Sequence, residues 1–117
     1  MDLITKSLDS PDEKRAFEKG TFELVTVGGF TVGRATYQPG WKWSQHVGPD
    51  LGQTTCNVAH VVLGVGGCAK VRMDDGAEFE ITPGVLCAIP PGHDSWVEGD
   101  EPYVSLHFMG ADEYARG

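Results

Sequence analysis

The chain has 117 residues, 40% of them hydrophobic and 22% charged, the make-up of one folded domain with a single core. Its 17 acids against 9 bases leave a net charge of −8, the wrong sign for a nucleic-acid surface. No apolar run approaches the ~20 residues that span a bilayer, and "MDLITKSLDSPDEKRAF" lacks the apolar stretch of a secretory signal. Cys56, Cys68 and Cys87 cannot all pair and form no Cys-x-x-Cys unit, so reduced thiols and a cytoplasmic location are expected.

In chain order, the first expected element is a short helix over about residues 11–18. Ser10 is placed to cap it, Pro11 fits its first position, Glu13 completes a Ser-x-x-Glu box, and Gly20 stops it. Everything beyond Gly20 reads as short strands between turns. "TFELVTV" (21–27) ends at Gly28-Gly29 and "FTVGRATY" (30–37) at Pro39-Gly40. "KVRM" (70–73) and "EFEIT" (78–82) flank Asp75-Gly76, a hairpin signal because both residues tolerate positive φ. "VLCAI" (85–89) runs into Pro90-Pro91-Gly92, and "YVSLHF" (103–108) closes the series. Turns every 8–12 residues predict an all-β sandwich or barrel in one domain, residues 1–117, with no internal repeat or linker.

Between these strands, "WSQHVGPDLGQTTCNVAH" (43–60) carries His46, Cys56 and His60. It resembles, with a later passage, the paired motifs of the cupin family of jelly-roll barrels. Gly40, five residues and His46 match the start of the first motif; its second histidine would fall at Gly48. His60 to Gly67 matches the Glu-x6-Gly part, with histidine in place of the acid. Gly84, Pro90 and Gly92 match the second motif, whose histidine position is Ser95 and asparagine position Gly99, with His93 two residues early. The resemblance implies a cupin-like jelly-roll barrel, its core about 30–108, and a metal site serving a small molecule. Fold alone selects no activity.

Strand geometry bears on the ligands. In an extended strand Cys56 and His60 lie ~13 Å apart at the backbone, too far for one ion without a sharp bend. Cys56 is therefore set aside. His46 and His60 sit at motif positions on strands that the glycines and proline between them can lay side by side. His93 shares strand parity with position 95. The expected metal ligands are His46, His60 and His93, with Asp94 or another acceptor orienting one ring; His107, in the last strand, is a candidate to line the same cavity and bind substrate. The alternative for each is an ordinary hydrogen-bonded histidine. Cys68 and Cys87 read as small apolar core residues.

Imidazoles suit zinc, iron, nickel and copper. Three neutral ligands leave the ion's full charge to attract a small anionic organic ligand. Two functions follow: a metal-dependent small-molecule enzyme of oxygenase, isomerase or lyase type, or a non-catalytic sensor or carrier. No dedicated acid, base or nucleophile stands out. If 41–46 is a strand, Trp41 and Trp43 face away from His46, which motivates a homodimer through that face.

Overall fold

A computed structural model describes residues 2–109. Nine strands and two one-turn helices follow in the order β1 (Glu13–Phe17), β2 (Gly20–Val27), β3 (Phe30–Tyr37), α1 (Trp43–His46), α2 (Gly48–Leu51), β4 (His60–Gly66), β5 (Cys68–Met73), β6 (Glu78–Ile81), β7 (Leu86–Ile89), β8 (His93–Glu98) and β9 (Tyr103–Met109). The strands form a six-stranded sheet, β1-β2-β3-β9-β4-β7, and a three-stranded sheet, β6-β5-β8. The protein is all-β as expected, and among the described residues the strands of the expected jelly-roll barrel lie in two sheets that do not close on each other.

One core joins the sheets. Phe22, Ala35, Tyr37, Val62 and Tyr103 of the larger sheet pack with Ala69, Val71, Ile81 and Val97 of the smaller. Strand alternation explains the choice: His60, Val62 and Gly64 of β4 and Tyr103, Ser105 and His107 of β9 are buried, while Val61, Leu63, Val104 and Leu106 between them are less so.

The helix expected near residues 11–18 is a strand. β1 pairs with β2 from Glu13↔Leu24 to Phe17↔Gly20. The Asp12 backbone N–H donates to the Leu24 carbonyl at 2.8 Å, and the Asp12 carboxylate accepts from Thr26 N–H. A long-range ladder thus outweighs a local cap, since isolated helices of two turns are marginal. The tight turn at Glu18-Lys19 holds Lys19 at φ 61°.

Residues 41–46 also differ from the strand expectation. Val47 N–H returns to the Trp43 carbonyl and His46 N–H to that of Lys42, forming α1. Trp41 and Trp43 are fully buried within the single chain, which removes the motive for a dimer through them. Trp41 stacks on Tyr37, with ring centroids 3.7 Å apart. Among the described residues no helix is long and apolar enough to cross a membrane.

Candidate metal centre

Cys56 and His93 are partners in an isolated antiparallel bridge. Cys56 N–H donates to the His93 carbonyl at 2.7 Å, and Gly92 N–H donates to the Cys56 carbonyl at 2.8 Å. Gly92, at φ 90°, supplies the left-handed turn that starts β8 here. Residues directly opposite in such a bridge project to the same side. Residues 57–59 are irregular, so the chain bends between Cys56 and the start of β4 at His60.

That bend overturns the reason for setting Cys56 aside. Its Sγ lies 3.4 Å from His60 Nε2. Ligating atoms of Cys56, His60 and His93 all lie within 4.8 Å of one another, and all three residues are buried. A tetrahedral zinc with bonds of ~2.0–2.3 Å separates nitrogen and sulfur ligands by about 3.5 Å. The donor set fits a divalent ion of borderline softness.

His93 enters the cluster after the Pro90-Pro91-Gly92 turn, and its Nδ1 meets the Pro90 carbonyl at 2.8 Å. That bond makes Nδ1 the protonated nitrogen and leaves Nε2 as the nitrogen open to a metal. Asp94, expected to orient a ring, is engaged elsewhere: it accepts from Ser44 N–H at 3.0 Å and lies 2.8 Å from the Ser44 hydroxyl. His46 is not among the side chains brought together. Sitting on α1 rather than on a strand beside β4, its Nδ1 accepts from Lys42 N–H at 2.9 Å, and its Nε2 is 3.6 Å from Glu18.

His107 stands beside the cluster. Its ring meets that of His60 edge-on, with centroids 5.4 Å apart, and its Nε2 lies 3.1 Å from the Ser105 hydroxyl. His60, His93, Ser95, Tyr103, Ser105 and His107 line an interior cavity of about 30 Å³, room for one water or ion. No carboxylate lines it among the described residues.

Burial sets the charge of every group here. It pushes the His60 imidazole down to about 3, with a smaller contribution from His93. His107 is held well below the usual histidine range by burial and by His60 and His93. Burial also lowers His93, against the opposing pull of the Pro90 carbonyl and nearby acids. It raises the Cys56 thiol and pushes the Tyr103 phenol up to about 12. The imidazoles are neutral, the protonation state that coordinates a metal.

A second, larger recess adjoins the cavity. A groove of about 620 Å³ runs between β6 and β7, and Val71, Ile81 and Ile89 line both spaces.

No family model matches the sequence, and no curated protein matches it by sequence. Solved structures do match in fold. A protein of unknown function from Rhizobium leguminosarum bv. viciae 3841 superposes with a TM-score of 0.65 at 18% identity, covering 93% of this chain and 97% of that one. A sugar phosphate isomerase from a cupin superfamily, of Silicibacter pomeroyi DSS-3, gives 0.63 at 20% identity, with 89% and 73% covered. Ectoine synthase from P. lautus gives 0.65 at 15% identity, with 96% and 84% covered. With two sheets around one core and histidines turned inward from β4, β8 and β9, the chain is built on the cupin fold.

Proposed function

We propose that this protein holds one divalent metal ion through His60, His93 and Cys56, and binds a small organic molecule beside it. The observation that carries the reading is the mutual approach of three buried side chains with metal-ligating atoms, two of which, His60 and His93, line an interior cavity. Nitrogen and thiolate donors suit zinc, iron, nickel or copper. When bound, such an ion supplies Lewis-acid polarisation of a ligand oxygen, or redox chemistry if it is iron or copper.

The chain's own residues supply the surroundings. The Pro90 carbonyl fixes the His93 ring, Val62, Ala69, Val71 and Ile81 supply apolar walls, and His107 and Ser105 offer a hydrogen-bonding pair. A Cys56 thiolate would cancel one of the ion's two charges, so the pull on an anionic ligand is weaker than with three histidines. No carboxylate lines the cavity among the described residues, and burial holds its histidines below their usual range, which favours a binding or sensing role over acid–base catalysis near neutral pH. Turnover by an oxygenase, isomerase or lyase mechanism is the second reading, supported by the enzymes among the fold relatives.

A homodimer belongs to this proposal on a different surface. Leu86, Leu63 and Leu106 stand in one row across β7, β4 and β9. Val61, Val65, Val104 and Ala88 flank them on the same outer face. In a chain of net charge −8, this apolar patch, bordered by Arg34 opposite Leu106, is where a second copy can approach with little repulsion.

Elemental analysis of protein purified without added metal tests the centre, followed by cobalt substitution. One ion per chain is expected, with a cobalt–thiolate charge-transfer band that Cys56→Ser abolishes. Stoichiometric protein with no metal and no cobalt uptake would reject the reading.

A further inference from the structure

Phe79 pairs with Val71 across the β5–β6 ladder, so both project to the same, inward side of the smaller sheet. Val71 is buried, yet Phe79 is 57% exposed. On β7, Cys87 and Ile89 also point inward, alternating with outward Leu86 and Ala88, and remain only half-buried. Inward apolar side chains normally meet the opposite sheet. Here the two edge strands stand apart, and the 620 Å³ groove lies between them. That volume falls within the ~300–1,000 Å³ of sites that take small organic molecules.

One end of the groove is built by two turns. Asp74 N–H donates to the Gly92 carbonyl at 3.0 Å, tying the β5–β6 turn to the β7–β8 turn. The Asp74 carboxylate lies against Gly92, so closely that a Cβ there would sit 2.6 Å from its oxygen. Asp75 lies beside it in the lining, and no lysine, arginine or histidine does. Glu80 belongs to the rim but faces Lys70 across the outer side of the ladder. The groove therefore combines an apolar floor with two negative charges at one end.

We infer that this groove binds a small molecule with an apolar body and a protonated amine. The body covers Phe79, Ile81 and Ile89, and the amine meets Asp74 and Asp75. The inference rests on the function proposed above and names the ligand class for it, because Val71, Ile81 and Ile89 line both the groove and the histidine cavity. It also reverses the anionic ligand expected from the ion's charge alone: such a molecule would face two carboxylates.

The test titrates 4-phenylbutylamine, 4-phenylbutanol and 4-phenylbutyrate into the full chain, followed by two-dimensional ¹H–¹⁵N NMR. It is done on chelator-treated and on zinc-loaded protein. The amine is expected to shift the amides of Ala77, Phe79 and Ile89, and to bind about fivefold more tightly than the alcohol, with the butyrate weakest. Asp74→Asn with Asp75→Asn should level the series, and Phe79→Ser, at an exposed position, should weaken all binding about tenfold.

Butyrate binding as tight as the amine would overturn the inference. So would the absence of shifts at the groove amides in both preparations; zinc retained in that case leaves the metal reading standing. Amine binding without any zinc uptake would do the reverse. Loss of a dimeric mass in Phe79→Ser, with no ligand shift in the parent, would also overturn it by making the groove a contact between copies.

Discussion

His60 stays uncharged because its ring is enclosed, and this has two measurable consequences. Below the free-histidine pKa of ~6.5, the unfolded chain takes up a proton that the folded ring refuses until about pH 3. The unfolded state then binds more protons, so stability falls as pH falls through that window and is fully present above it. Each such ring contributes a slope of up to about 1.4 kcal/mol per pH unit. The urea midpoint of chelator-treated protein should drop between pH 7 and pH 4.5, and His60→Gln should flatten the drop. The second consequence concerns ligands: His60→Ala or His93→Ala should weaken zinc binding by at least about 100-fold, while His46→Ala leaves it unchanged. Competition with a chromophoric chelator reads this directly. His60 was legible as a site candidate from its cupin-like spacing to Gly67, and His93 from the Pro90-Pro91-Gly92 turn before it. Cys56 was not, because its approach depends on an irregular bend at 57–59 and a bridge to β8, neither of which has a periodic signature.

At the level of elements, α1 is too short to hold itself. Lys42, its N-cap, provides no side-chain hydrogen bond. The orphan N–H of Ser44 is met instead by Asp94, fifty residues away on β8. Asp94→Ala should therefore cost about 1–2 kcal/mol in denaturant melts, and Ser44→Ala less, because the Ser44 N–H keeps its acceptor. Strands were readable where alternation and turn residues agreed: "FTVGRATY" is β3, and Asp75-Gly76 does separate β5 from β6. β1 reads locally as a helix because Ser10, Pro11 and Glu13 form a cap at its start, and only the ladder with the neighbouring β2 decides for a strand. The motif glycine Gly67 has φ 67°, and a Cβ there would lie 2.3 Å from the Pro102 carbonyl, so its identity is a steric demand of the β4–β5 turn.

For the molecule as a whole, the two sheets share a core but leave β6 and β7 apart at one side. Strand patterning specifies which face of each strand is apolar, not whether the last pair of edges meets. The open side was thus invisible in the sequence, as was the leucine row, whose members are far apart in the chain. Leu86→Lys should shift the sedimentation mass toward the monomer at tens of micromolar, and added salt should strengthen association of the parent by screening its charge. A parent that is monomeric in high salt would remove the dimer from the proposal.

The Tyr37–Trp41 stack gives this protein a built-in optical reporter. Trp41 and Trp43 are sealed from water, their indole N–H groups have no hydrogen-bond partner among the described residues, and Trp96 lies nearer the surface beneath Lys42. Emission should consequently resolve into a blue component insensitive to acrylamide and a redder one that acrylamide removes. Trp41 also borders the histidine cavity. Loading with paramagnetic copper or cobalt should darken the blue component first, whereas zinc should leave it bright, so that occupancy of the centre can be followed by fluorescence without any added label.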